Sequence, residues 1–254
     1  MKLRVLGCGG GIGGRQPLTT SLLVDDDILI DAGSGVGTLD IDALARIDHV
    51  FLTHGHLDHV AFLALLVDAV RGVRRGPVTV HASQKVTAML KQSLFNWALW
   101  PDFGEIPNGD GPTMQWAPFT PGDEVEIGGR SIRSHEVNHA PGSVGYQVCS
   151  GDAGFLFTGD LMSTPSLWAA VAGDARLSRV LVECSVPNAE AELALLARHH
   201  CPDTLLRDIR AMPPEVAFFI THLKPGMEDQ IMAELNGAGQ RRFSALACGD
   251  EFEF

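Results

Sequence analysis

The residues able to do chemistry concentrate in one short segment, Thr53-His54-Gly55-His56-Leu57-Asp58-His59, where four potential metal ligands fall within six residues. The segment lies where a strand-like apolar run, His49–Thr53, gives way to the helix-forming run Val60–Val70. Imidazole and carboxylate donors suit zinc, iron or manganese. On an extended turn His54 and His56 alternate and can hold one ion. Asp58 and His59 enter the helix and can hold a second. A polar loop rich in histidine by chance is the competing explanation. Three of the chain's ten histidines, beside a carboxylate and a helix start, argue for ligation instead.

Two other patterns imitate known sites. His135-Glu136-Val137-Asn138-His139 has the H-E-x-x-H spacing, which serves zinc proteases only when a helix puts residues i and i+4 on one face. This segment follows Gly128-Gly129 and runs into Pro141-Gly142, so a strand is expected. In a strand, residues 135, 137 and 139 share a face and Glu136 points away. The protease reading is therefore rejected and His139 is kept as a candidate ligand. Gly9-x-Gly11-x-x-Gly14 satisfies the dinucleotide fingerprint, which also demands an immediate helix. Arg15-Gln16-Pro17 leads to another strand, so a turn near the active site is expected, its backbone N–H groups free to approach a phosphate.

The elements that must position these residues alternate along the chain. Strands are expected at Leu3–Leu6, Ser21–Val24, Ile28–Ile30, Val78–His81, Glu124–Ile127, Ser131–Val137, Tyr146–Cys149, Phe155–Phe157, Val180–Val182 and Phe218–Thr221. Helices are expected at Asp42–Arg46, after His59, and at Gln84–Leu94, Ala189–Arg198, Thr204–Met212 and Met227–Leu235. No linker or low-complexity tract divides the two hairpin-rich halves. The expectation is an α/β chain, a single domain over residues 1–254, with two mixed β-sheets face to face and helices outside.

With 45% hydrophobic residues the chain can build a sizeable core. Its formal charge of −12 repels polyanions, so long nucleic acid is not the expected partner. The one small basic cluster, Arg71, Arg74 and Arg75, reads as a solvated helix end. Five scattered cysteines without a C-x-x-C pair fit a reducing compartment and no disulfide framework. The start of the chain shows no secretory signal, and no run approaches the roughly 20 apolar residues that span a bilayer. A cytoplasmic location and no membrane partner are expected.

The cluster at 54–59 resembles the H-x-H-x-D-H signature of the metallo-β-lactamase superfamily, and the resemblance extends along nearly the whole chain. It implies a four-layer αβ/βα sandwich and a binuclear centre of two divalent ions, zinc first and manganese or iron as alternatives. Carried over residue by residue, it implies that His54, His56 and His139 hold one ion and Asp58, His59 and His222 the other. Asp160, in FLFTGD, would bridge them, and Asp31, in ILIDAG, would support the ligands from behind. Two such ions sharing a water lower its pKa and give a hydroxide nucleophile at neutral pH. Asp58 would orient that nucleophile, and relatives in the superfamily are often homodimers.

Three further segments are similar to those of class II cyclic-nucleotide phosphodiesterases: Glu183-Cys184-Ser185-Val186-Pro187-Asn188, His199-His200-Cys201-Pro202 and His222-Leu223-Lys224-Pro225. Ribonuclease Z carries a related glutamate and histidine at the first two places. The resemblance implies that Glu183 orients His199 and that His199 contacts the phosphate or protonates the leaving alkoxide. His200 competes for that role. Glu183 as a plain salt-bridged strand end, and His199 as a helix cap, are the structural alternatives. Lys224 is expected either to neutralise a phosphate or to sit on the surface. Phe62, Ala64, Val67 and Cys201 depart from the phosphodiesterase pattern. The aromatic stretch Phe95–Phe103 either stacks a nucleobase or closes a core or dimer contact. The expected activity is hydrolysis of a small phosphodiester such as a 3′,5′-cyclic nucleotide. An RNA endonuclease like ribonuclease Z and a thioester or lactone hydrolase are rivals, and a non-catalytic metal-binding protein is the alternative from another class.

Overall fold

The computed structural model describes residues 1–109, 111–239 and 241–254. Two seven-stranded sheets dominate it. In spatial order the first runs Glu251–Glu253, Lys2–Gly7, Ser21–Val24, Ile28–Ile30, His49–Phe51, Val78–Ser83 and Met114–Phe119. The second runs Phe243–Ala245, Ala217–Thr221, Leu177–Glu183, Ala153–Phe157, Val144–Ser150, Arg130–Glu136 and Glu124–Ile127. Each sheet is antiparallel at one side and parallel at the other. Apart from the pairing of Lys2–Gly7 with Glu251–Glu253, the antiparallel sides are built from strands consecutive in the chain. Gly128 and Gly129 both adopt positive φ (54° and 79°), the backbone a tight two-residue hairpin needs.

Three apolar clusters separate four layers. Between the sheets lie Leu3, Val5, Leu22, Ile28, Ile30 and Phe51 of the first and Ile132, Tyr146, Val148, Phe155, Phe157 and Leu181 of the second. Outside the first sheet, helices Leu63–Val70 and Gln84–Ser93 bury Leu63, Leu66, Val67, Val70, Val86 and Leu90. Outside the second, helices Pro165–Val171, Pro202–Asp208 and Glu228–Gly237 bury Leu167, Trp168, Leu205, Ile231 and Leu235. Each such side chain contributes about 1.5–3 kcal/mol when fully buried. The expected sandwich of two mixed sheets with helices outside is therefore observed.

The sheets are stitched together at the end where the candidate residues lie. Tyr146 donates its hydroxyl to the Leu52 carbonyl (2.7 Å), and the Val144 N–H donates to the Thr53 carbonyl (2.9 Å). At the opposite side Arg130 binds Asp25 and Asp27 (2.8 and 2.6 Å), pinning the turn of one sheet to a strand of the other.

The structure corrects several sequence expectations. The apolar run after His59 is two helices, Leu57–Val60 and Leu63–Val70, not one. The His59 carbonyl accepts from Ala32 N–H (2.7 Å) and Phe62 N–H donates to the Ala32 carbonyl (2.9 Å), so both leave the helical ladder. Met114–Phe119 is an unforeseen edge strand, where Pro118 is tolerated. Pro165–Val171 is an unforeseen helix. Arg74 is not a solvated end: it donates to Asp48 and to the carbonyls of Ala45, Ile47, Gly76 and Pro77. Among the described residues no helix is long and apolar enough to cross a membrane, and the five cysteines form no disulfide.

Candidate metal centre

The candidate residues come from the ends of strands in both sheets. Asp31 follows Ile28–Ile30, and Thr53 and His54 follow His49–Phe51. Asp160 follows Ala153–Phe157, Glu183 ends Leu177–Glu183, and His222 follows Ala217–Thr221. His139 lies three residues beyond Arg130–Glu136, and His135 instead meets Gln147 (3.3 Å), so H-E-x-x-H is not a helical motif here. Asp31 and His222 sit in left-handed backbone (φ 58° and 57°), which costs a non-glycine residue of order 1 kcal/mol.

The seven predicted ligands converge in two adjoining groups. His54, His56, His139 and Asp160 form one, and Asp58, His59, Asp160 and His222 the other, with ligand atoms within 4.8 Å of one another in each. Asp160 belongs to both. Its Oδ2 lies 3.7, 3.4, 3.9 and 3.1 Å from Nε2 of His54, His59, His139 and His222. Ligands at zinc–nitrogen distances of 2.0–2.1 Å on a tetrahedron lie about 3.4 Å apart. The spacing thus suits shared cations better than direct ion pairs.

The residues fit such ions on an independent observation. Nε2 of His54 and of His59 is buried without a hydrogen-bond partner. The His139 ring donates Nδ1–H to the Arg198 carbonyl (2.8 Å), so its Nε2 is an acceptor, which lies 3.1 Å from Nδ1 of His56. Burying unpaired acceptors costs free energy that a cation would offset. Burial holds His54 well below the usual imidazole pKa, and burial also lowers His56 and His139, keeping all three neutral as ligands must be. Burial opposes ionisation of Asp58 and Asp160, but the neighbouring histidines outweigh it and hold both below the usual carboxylate range.

A third group adjoins these two: Glu183, His199 and His222. Glu183 is fully buried and its Oε1 binds Nδ1 of His199 at 2.8 Å. The His199 ring stacks on His222 (centroids 5.1 Å apart, 22°) and borders His139 (4.8 Å). His200 points elsewhere, with Nδ1 on Thr204 Oγ1 (2.9 Å) and Nε2 3.9 Å from Asp208, so it is His199 that reaches the centre.

Other expectations resolve differently. Lys224 is half-buried, and its ammonium donates one of its three N–H groups to the Gly10 carbonyl (2.7 Å). The glycine-rich turn is not followed by a helix, and it backs onto the centre, with Gly10 N–H on the Leu223 carbonyl (3.1 Å). A Cβ at Gly10 would lie 2.3 Å from the His222 carbonyl oxygen, so only glycine fits. Phe95 and Phe103 are buried in the core outside the first sheet, which is the packing reading, while Trp97 stays exposed. Two cavities flank the ligands. One of about 480 Å³ is lined by Gly55, His56, Ala88, Met89, Gln92 and Pro141, the other of about 360 Å³ by Lys85, Asn138, His139, Thr164, Ser166 and Arg198.

Sequence reasoning missed Thr53 and Ser185, whose hydroxyls touch the ring nitrogens of His54 (3.0 Å) and His222 (2.9 Å). Their only signal was position, one directly before a ligand and one two residues after Glu183.

Comparison with known proteins agrees with this geometry. The profile described as Metallo-beta-lactamase superfamily matches residues 16–222. A ribonuclease Z of Methanopyrus kandleri is 30% identical over 155 residues, covering 58% of this chain and 49% of the relative. A protein named as a probable 3′,5′-cyclic-nucleotide phosphodiesterase of Yersinia pestis is 23% identical over 207 residues, covering 72% of this chain and 58% of the relative. The matches thus span only about half the length of these curated relatives. Unliganded yeast PDE1 superposes with a TM-score of 0.85 over 100% of this chain and 99% of its own, at 15% identity, which is likeness of fold.

Proposed function

The chain belongs to the metallo-β-lactamase superfamily, and from that premise we propose that it is a binuclear metal-dependent phosphodiesterase acting on a small substrate such as a 3′,5′-cyclic nucleotide. The observation that carries the reading is the Glu183–His199 pair set directly beside two ligand groups that share Asp160. We assign His54, His56 and His139 to one divalent ion, Asp58, His59 and His222 to the other, and Asp160 to both. Zinc is the expected metal, with manganese or iron as alternatives. Ions held there would supply Lewis acidity toward the phosphoryl oxygens and a water acidified to near neutral pH.

The chain's own residues supply the remainder. Asp58, whose side chain is 30% exposed, would accept a hydrogen bond from the attacking water and orient it. Glu183 fixes the proton of His199 on Nδ1 and favours the charged ring, so that Nε2–H is available to the leaving alkoxide. The two cavities beside His56 and His139 give room for a small substrate. The name of the Yersinia pestis relative, a probable 3′,5′-cyclic-nucleotide phosphodiesterase, supports a cyclic-nucleotide substrate.

Metal-replete protein is expected to hydrolyse bis-p-nitrophenyl phosphate and 3′,5′-cyclic AMP, and chelation to abolish both activities. Inactivity on every phosphodiester tried would overturn the reading. The Methanopyrus kandleri relative supports RNA processing as the second reading. The charge of −12 and the internal engagement of Arg74 weigh against it, and cleavage of precursor tRNA would favour it. Thioester or lactone hydrolysis without phosphodiesterase activity would select the third rival.

A further inference from the structure

Glu183 accepts from four donors: the backbone N–H groups of Leu161 (3.1 Å) and His200 (3.3 Å), Nδ1 of His199 (2.8 Å) and the hydroxyl of Ser185 (2.9 Å). A carboxylate in such a setting is an acceptor only. The Ser185 proton is therefore committed to Glu183, and the lone pairs of its oxygen face away. What they face is Nδ1 of His222, at 2.9 Å, which must donate. The His222 proton is thereby fixed on Nδ1, and the bare Nε2 looks toward Asp58 and Asp160 at 3.2 and 3.1 Å.

The other sheet repeats the device with different residues. Asp31, fully buried, accepts from Thr53 N–H (2.8 Å), the Thr53 hydroxyl (2.8 Å) and Nδ1 of His59 (2.7 Å). The Thr53 proton is spent on Asp31, so its oxygen accepts from Nδ1 of His54 at 3.0 Å. That leaves the His54 Nε2, buried and unpartnered, aimed into the centre. Each buried carboxylate thus holds two histidines, one directly and one through a hydroxyl. Thr53 and Ser185 are themselves buried, so water cannot substitute for either hydroxyl without a cavity being opened.

We infer that Thr53 and Ser185 are positioning residues: hydroxyl relays through which Asp31 and Glu183 set the ring orientation and tautomer of His54 and His222, one relay for each ion. The inference rests on the two-ion reading above. Its consequence is selectivity. His54 belongs to one ligand group and His222 to the other, so loss of one relay weakens one ion and spares its neighbour. Partners behind a ligand are typically worth about 10–100-fold in metal affinity.

The test is calorimetric titration of chelator-stripped protein with Zn²⁺ alone, beside ¹⁵N spectra of the histidine rings in the metal-free state. Wild type is expected to take up two ions. Thr53→Val and Ser185→Ala are each expected to weaken one binding event about 10–100-fold and leave the other unchanged, and the double variant to weaken both. The ring spectra should change at His54 in the first variant and at His222 in the second. The conservative variants Thr53→Ser and Ser185→Thr should restore both affinities, which separates relay loss from damage to the fold. Two unaltered binding events in the single variants, or an equal fall in both events with unchanged ring spectra, would overturn the relays while leaving the two-ion reading intact. Wild-type protein that binds no Zn²⁺ would overturn both.

Discussion

Burial by itself would strip the proton from His199, but Glu183 and then Asp160 outweigh it and hold its pKa above the ordinary imidazole value. A general acid must carry its proton into the transition state, so the sign of the pH effect follows. Turnover is expected to fall as pH rises through the His199 pKa, giving kcat an alkaline limb that belongs to this ring. His199→Gln should lower kcat about 10²–10⁴-fold and remove that limb, with the metal content by elemental analysis unchanged. An intact alkaline limb in the variant would assign the acid elsewhere. At this scale the residues that converge in the two groups were legible because histidine and aspartate at tight spacing have few other uses. Glu183 and His199 needed the resemblance as well, because carboxylates and histidines at element ends are common. Thr53 and Ser185 were not legible, since a hydroxyl gains meaning only from the two partners that folding brings to it.

The elements matter through how closely they let backbones approach. The turn at Gly9–Gly11 lies against His222, whose N–H donates to the Cys8 carbonyl (2.8 Å). A methyl group at Gly10 would meet the His222 carbonyl oxygen at 2.3 Å and its ring Nδ1 at 2.9 Å, whereas one at Gly11 meets nothing nearer than Pro225 at 3.4 Å. Gly10→Ala is therefore expected to displace His222, lowering both the bound metal measured by elemental analysis and turnover, while Gly11→Ala stays near wild type. Equal effects of the two substitutions would mean that flexibility of the turn, rather than contact, is what the glycines provide. The sequence showed this turn as a broken dinucleotide fingerprint, because the pattern records glycines and not what packs on them. Elements with strong local periodicity were read well. Edge strands such as Met114–Phe119 and Glu251–Glu253 were missed because short edge segments owe their structure to distant partners, Lys2–Gly7 pairing with the far end of the chain.

For the whole molecule, the two-sheet sandwich was legible from the alternation of hairpins and helices, but the chemistry of the layer between the sheets was not. That layer carries a titratable group outside the metal centre. His81 is 7% exposed, and its ring stacks on Phe51 of that layer (4.2 Å, 6°) and meets Nδ1 of His49 at 3.1 Å. Burial, reinforced by His49, lowers its pKa to about 4. In the unfolded chain the value is about 6.5. Above pH 6.5 both states are neutral at this ring and it contributes no pH dependence. As pH falls below 6.5 the unfolded chain takes up a proton that the folded chain refuses, and stability declines until the folded ring also titrates near pH 4. The full loss is about 3 kcal/mol. His81→Phe keeps a ring on Phe51 and cannot protonate. Urea unfolding of the chelator-stripped proteins at steps between pH 7 and pH 4 is expected to give a wild-type stability that falls more steeply than the variant's by about that amount. The comparison of slopes cancels the metal-site histidines, which are common to both proteins, and it cancels any constant cost of losing the His49 contact. Parallel curves would show that His81 titrates alike in both states, and acid lability would then belong to the metal-site histidines rather than to the layer that joins the sheets.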